Sequence, residues 1–261
     1  MPIDLPPAPK LWVPPKPAII RPAPDIRVPS MLGITMLSRM SLVRAKRAAA
    51  AAGDGYSNLS YIGTTASGEG SGSVTGVSIG TAAANRVVIV GVVTTGAAVG
   101  TLTVNGGSPE SSVVNAYANV SDTWGSAIFA VNIPTGTTAD FEISGAVAFC
   151  SFIVWRVLMS STVAHDTSSA TQTTAVTSHP VTGVIMPANG FGIAVQVSSS
   201  SAGSTIDTGF VERVDNAASG YQEYGADLES GAGFGSSTVT ITSGTGRASA
   251  TCIATFNGNG T

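Results

Sequence analysis

Only a handful of residues in this chain have types or spacings that could do covalent chemistry. Gly76-Val77-Ser78-Ile79-Gly80 spells the G-x-S-x-G pattern that presents a nucleophilic serine on a strand-to-helix elbow. A short turn and an apolar run from Arg86 to Val93 come next in the chain, so Ser78 lacks the helix this chemistry needs. The two histidines, His165 and His179, sit in polar stretches beside Asp166 and Pro180, without the partners that a catalytic triad or a zinc site requires. They read as surface residues. Asp140/Glu142 and Asp227/Glu229 each share the parity of one strand face, and exposed faces account for them more simply than paired general acids. Cys150 and Cys252 are too few for a disulfide framework and have no metal spacing. Their apolar strand settings favour buried free thiols, with a mutual bridge as the alternative. Gly68-Glu69-Gly70-Ser71-Gly72 is glycine-rich but lacks the Lys-Ser/Thr of a phosphate-binding loop and reads as a flexible connector. The expectation is a non-enzyme, with no catalytic residue, cofactor or metal.

The elements around these residues divide the chain unevenly. Of 14 prolines, ten fall within residues 1–29, and of 12 Lys and Arg, eight fall within residues 1–47. Residues 1–52 therefore carry about +6 and residues 53–261, with no lysine, four arginines and 13 acids, about −9. Prolines fix their own φ and push preceding residues toward extended backbone, so residues 1–30 are expected to form an extended arm. Its apolar side chains, Trp12, Ile19 and Ile20 among them, have no core of their own and call for a partner surface. A disordered solvated linker is the plainer alternative. Residues 34–52 contain good helix formers with no Pro or Gly, and Gly53 stands next as a C-cap behind Arg44, Lys46 and Arg47. A basic amphipathic helix is expected over 31–53, its apolar face formed by Met36, Leu37, Met40 and Val43. Arg39, Arg44, Lys46 and Arg47 exclude it as a membrane span or a signal sequence, so no membrane insertion and no processing are expected. The four clustered cations come without interleaved aromatics, which argues against nucleic acid as a partner.

Beyond Gly53 the hydrophobic period becomes two. Val239 and Ile241, Phe191 through Val197, and Ala248 through Phe256 alternate with small or polar residues, predicting antiparallel strands buried on one face. The segments 87–93 and 149–158 are apolar on both parities and predict central strands covered on both sides. Turns are expected at Asn105-Gly106-Gly107, Pro134-Thr135-Gly136, Ala188-Asn189-Gly190 and Ser243-Gly244-Thr245-Gly246. The predicted fold is mainly β, an antiparallel β-sandwich of jelly-roll type over residues 54–261, preceded by the arm and one short helix.

Arg86-Val87-Val88-Ile89-Val90, Leu102-Thr103-Val104-Asn105-Gly106, Ala127-Ile128-Phe129-Ala130-Val131, Ile133-Pro134-Thr135-Gly136 and Phe149-Cys150-Ser151-Phe152-Ile153-Val154-Trp155 succeed one another in a pattern of strands and turns. This pattern resembles β-sandwich domains in structural proteins of tailed bacteriophages. The arm sequence Pro17-Ala18-Ile19-Ile20-Arg21-Pro22 resembles the proline-rich leaders of phage and prophage particle proteins. The resemblance covers residues 86–158 and the arm, and does not extend to 160–261. It implies a virion component, whether head decoration or fibre, neck or tail, docked on other virion proteins through residues 1–52 and working as a homo-oligomer, with a trimer preferred. The expected anchor is Trp12, Pro17, Ile19, Ile20, Arg21 and Pro22. The alternative is a carbohydrate- or receptor-binding module of a secreted or surface protein, using Tyr117, Trp124, Tyr221 and Tyr224. The two overlap, because a displayed virion domain can itself bind a host glycan.

Overall fold

The computed structural model describes residues 57–67, 72–119, 123–145, 148–199, 203–218 and 221–258. The expected arm, helix and anchor residues and most of the 68–72 connector lie outside them. Among the described residues every regular element is a strand, and every strand pairing is antiparallel. In chain order the strands are β1 (Ser57–Ala66), β2 (Ser73–Ser78), β3 (Arg86–Thr95), β4 (Leu102–Val104), β5 (Pro109–Glu110), β6 (Val114–Asn119), β7 (Thr123–Asn132), β8 (Thr138–Ile143), β9 (Phe149–Leu158), β10 (Asp166–Met186), β11 (Gly190–Ser198), β12 (Ser204–Ile206), β13 (Val211–Ala218), β14 (Tyr221–Ser230) and β15 (Phe234–Phe256). The body is mainly β and antiparallel, as the period-two patterning predicts.

The strands form three sheets. The middle sheet has the order β1-β9-β3-β7-β6, a second has β2-β8-β4-β5, and a third has β10-β15-β11-β14-β13 with β12 added beside β15. The first nine strands pair in a nested way, β1 with β9, β2 with β8, β3 with β7 and β4 with β5, while β9 also pairs with β3 and β8 with β4. At the tightest point of this nest, Gly107 N–H donates to Val104 O, and Asn105 and Gly106 both take positive φ (51° and 66°). That is the two-residue type I′ geometry that an Asn-Gly pair favours.

Strand parity explains the layering. Val88, Val90, Val92, Ala127, Phe129, Phe152 and Val154 point from the middle sheet toward Val74, Val77, Leu102, Phe141 and Ile143 of the second sheet. The alternate residues Val87, Ile89, Val93, Ile128, Ile153, Trp155 and Val157 pack on Phe191, Ile193, Val195, Val197, Ala250, Cys252 and Phe256 of the third. Both faces of β3 and β9 are thus covered, as their doubly apolar sequences require.

Two expectations are corrected in the third sheet. The alternation in Phe191–Val197 and Ala248–Phe256 predicts one buried face, yet every residue of β11 and every residue of β15 from Ala248 onward is buried. Their second face carries Gly192, Ala194, Gln196, Ser249, Thr251 and Ile253, and it is roofed by the outer halves of β10 and β15. There Val181, Val184, Val239 and Ile241 close a third core over Ala194, Tyr224, Ala226 and Ile253. Val239 and Ile241 themselves keep the expected alternation with outward Thr238, Thr240 and Thr242. The other correction concerns Ser243-Gly244-Thr245-Gly246, which is not a turn between strands but a bend inside β15. The β10–β15 register breaks beside it, between Gln172 and Val176 and again between Val176 and Ser178. Gly246 suits the close approach there, since a Cβ would meet Ala175 O at 3.2 Å.

Candidate functional site

Several buried polar residues of the body hold its layers together. Ser243 and Ser249 lie on opposite sides of the β15 bend, where six residues of extended strand would hold them about 20 Å apart. Both nonetheless reach the same fully buried imidazole: His179 Nε2 is 2.9 Å from Ser243 Oγ and Nδ1 is 2.8 Å from Ser249 Oγ. Ser243 Oγ donates to Thr245 O at 3.0 Å. A hydroxyl whose proton is engaged accepts from the ring, so Nε2 carries the proton and Nδ1 accepts from Ser249. The chain of bonds Ser249 to His179 to Ser243 to Thr245 O staples the fold-back closed. Burial holds the imidazole below its ordinary pKa, favouring the neutral form that this chain requires. The arrangement has the base and hydroxyl of a nucleophile pair, but both serines are buried with the histidine and no carboxylate orients the ring.

Along the same face of the third sheet, Gln196 stands directly across from Tyr224 on β14 and Thr251 on β15. Its Nε2 donates to Thr251 Oγ1 at 2.9 Å, while Gln196 Oε1, Ser198 Oγ and the Tyr224 hydroxyl are buried without a protein partner. Beside them Ser204 Oγ donates to Gln222 Oε1 at 3.2 Å, Gln222 Nε2 bonds Asp215 Oδ1, and Ser204 N–H donates to Asp215 Oδ2 at 3.1 Å. These bonds tie β12 across β13 and β14. The Tyr224 phenol is pushed well above its usual range, first by burial and then by Glu212 and Asp215.

A second polar centre joins the middle and third sheets. Asp227, 2% exposed on β14, accepts Trp155 Nε1–H at 2.8 Å from β9 and both Arg213 Nε and Nη2, at 2.8 and 2.9 Å, from β13. The two-point guanidinium grip and the indole bond together satisfy a carboxylate that could not otherwise be buried. A third centre is Arg86 at the start of β3, also fully buried. Its guanidinium donates to the carbonyls of Ile133, Gly80, Gly136 and Thr135 at 2.6, 2.8, 3.0 and 2.6 Å, gathering the expected Pro134-Thr135-Gly136 turn and the start of the β2–β3 connection onto one side chain. Burial, and then repulsion from Arg156, pulls its pKa below the ordinary arginine value.

The residues singled out in the sequence are distributed differently from the expectation. Ser78 is exposed at the end of β2 and leads through a loop into β3, with no helix behind it. His165 is exposed as expected, whereas His179 is buried, because its place in the folded-back half of β10 sets it between Ser243 and Ser249 of β15. Asp140 and Glu142 share the outward face of β8, but Asp227 is buried against Trp155 and Arg213 while Glu229 stays exposed. Neither Cys150 nor Cys252 forms a disulfide; both thiols are buried, in different cores, and burial pushes Cys252 up to about 12, which disfavours its thiolate. Of the four aromatics, Tyr117 is 41% exposed on β6, Trp124 is buried against the third sheet, Tyr224 is enclosed under the roof, and Tyr221 is half-buried against Phe149 at 4.6 Å between ring centres. The structure does not bring them to one surface. Sequence reasoning missed Arg86, His179 and Asp227 as tertiary clamps. The one available signal was a lone Arg opening a doubly apolar strand, and that charge had to be either at the rim or fully bonded.

Among the described residues, no group of three or more His, Cys, Asp or Glu could hold a metal ion, and no helix is long and apolar enough to cross a membrane. No protein-family model, curated protein or solved structure matches this chain.

Proposed function

We propose that this chain is a non-enzymatic structural component of a bacteriophage particle, held to other virion proteins by residues 1–52 and displaying its β body. The observation that carries the reading is the nested strand pairing of residues 57–158. First with last, second with second-last, in sheets β1-β9-β3-β7 and β2-β8-β4-β5 with β6 added at an edge, this order supports reading the segment as an eight-stranded jelly roll. Jelly rolls are recurrent in viral capsid domains and also serve lectins and cupins. The interior supports the structural choice over the catalytic one, since the buried His179, Asp227 and Arg86 are engaged in joining layers. The arm supplies the other half of the reading: proline-stiffened, basic, and carrying Trp12, Pro17, Ile19, Ile20, Arg21 and Pro22 as its anchor. Head decoration or fibre, neck and tail all suit such an arm, and the virion is the corresponding location.

The test is deletion of residues 1–30. The truncated protein should remain folded and soluble but fail to enter the particle, as read by mass spectrometry and imaging of purified virions. Unchanged incorporation removes the anchor. Ser78→Ala in the full chain should leave infectivity and particle assembly unaltered, and a loss of hydrolytic activity in that variant with folding intact would overturn the non-enzymatic reading.

A further inference from the structure

Sheet edges with unpaired N–H and C=O groups recruit other strands unless they are short, bulged or charged. Most edges of this body carry one of those protections. β1 has two register breaks against β9, β2 has one against β8, β5 is two residues long, and β13 bears Glu212, Arg213 and Asp215. β10 is different. From Asp166 to Gln172 it pairs with Thr255 to Ser249 in unbroken register, and no described strand lies on its other side. Thr167, Ser169 and Thr171 on this segment are exposed, and residues 167–178 contain no charge and no proline.

We propose that the free edge of β10 is a docking strand for β10 of a second copy of this chain, the two running antiparallel about a two-fold axis at Ser169. Ser169 is the midpoint of the unbroken segment, so this register uses all of it. Directly opposed residues of an antiparallel pair share a face. Thr167 then stands opposite Thr171 of the other copy, Ser169 opposite Ser169, and Ser168 opposite Ala170. Hydroxyl pairs of this kind favour cross-strand association. The single charge of the segment, Asp166, falls opposite Gln172 rather than its own counterpart, so self-pairing opposes no like charges although the body as a whole is acidic. The chain's own residues 1–30 are poor occupants because their ten prolines lack the N–H groups that an added strand must donate. A seven-residue edge buries less than the roughly 1,200 Å² of a standard interface, so the pairing depends on concentration. This inference does not rest on the particle reading.

Sedimentation of the full chain from dilute to concentrated solution tests it, with Ser169→Lys and Ser169→Glu as variants at an exposed position. The wild-type chain should shift from monomer toward dimer. Each variant should associate about tenfold more weakly or worse, because identical charges face one another, and an equimolar mixture of the two should recover the association. Hydrogen exchange of the wild-type chain supplies the location: amides within 166–172 should slow as concentration rises. A wild-type chain that stays monomeric, variants that associate as it does, or an association that leaves these amides unchanged would each overturn the proposal, and the last holds even if a variant fails to fold.

Discussion

At the scale of single residues, His179 has the most to lose. It is the only imidazole in the described interior, and its two ring nitrogens serve serines on either side of a bend. His179→Ala takes the acceptor from the buried Ser249 hydroxyl, removes the ring donor from Ser243 Oγ and leaves a void, so a loss of about 2–4 kcal/mol is expected in denaturant unfolding. The pH dependence has a definite sign. Burial lowers the folded-state pKa below the ordinary value of 6.5. The unfolded chain therefore binds more protons than the native state as pH falls through that value. The stability contributed by the neutral ring is complete above about 6.5 and declines below it, toward the depressed folded value. Urea midpoints on either side of 6.5 should show this decline in the wild-type protein and a shallower one in His179→Ala. His165→Ala, at an exposed position, serves as the comparison.

At the scale of elements, legibility depends on what covers each strand face. The doubly apolar 87–93 and 149–158 announce a central position because a second apolar face has no other use. The strands Phe191–Val197 and Ala248–Phe256 show only one apolar face. Apart from Ile253, their other face is built from Gly, Ala, Gln, Ser and Thr, residues that suit water and a polar interlayer equally well, and the roof above them comes from β10 and a distant stretch of β15. The Ser-Gly-Thr-Gly run is readable as a change of direction, but not as one that a single strand makes while keeping its partner. The burial of Asp227 is illegible for the same reason, since its partners Trp155 and Arg213 come from other strands. The packing between the middle and third sheets makes its own prediction. A Cβ on Gly91 would lie 2.6 Å from Val195 Cγ2 and 3.2 Å from Trp155 Cζ3. Gly91→Ala should therefore destabilise by about 1–3 kcal/mol through overpacking, and Val195→Ala in the same chain should recover part of that loss rather than add to it.

At the scale of the whole molecule, the sheets are unequal partners. The nested set of β1 to β9 contains two sheets and a core of its own, whereas the third sheet closes only when β15 joins β10, β11 and β12. A chain cut after Leu158 would leave Ile89, Ile128, Ile153 and Trp155 facing water, and at Trp155 the indole would lose Asp227 as well. Such a fragment should keep β structure by circular dichroism but bind a hydrophobic dye and aggregate, while the full-length protein does neither. The same dependence sets an order on synthesis. The strand that completes the body is the last one, so after Leu158 has been made the ribosome must add nearly a hundred residues before Phe256 exists. At about 5–20 residues per second that is an interval of roughly 5–20 s. During it the apolar face of the middle sheet lacks the third-sheet residues that cover it, and pairings of such high sequence separation are slow to form even afterwards. Translation speed over residues 159–256, and any chaperone able to shield a flat aliphatic sheet during that time, therefore govern how much of this protein reaches its folded state.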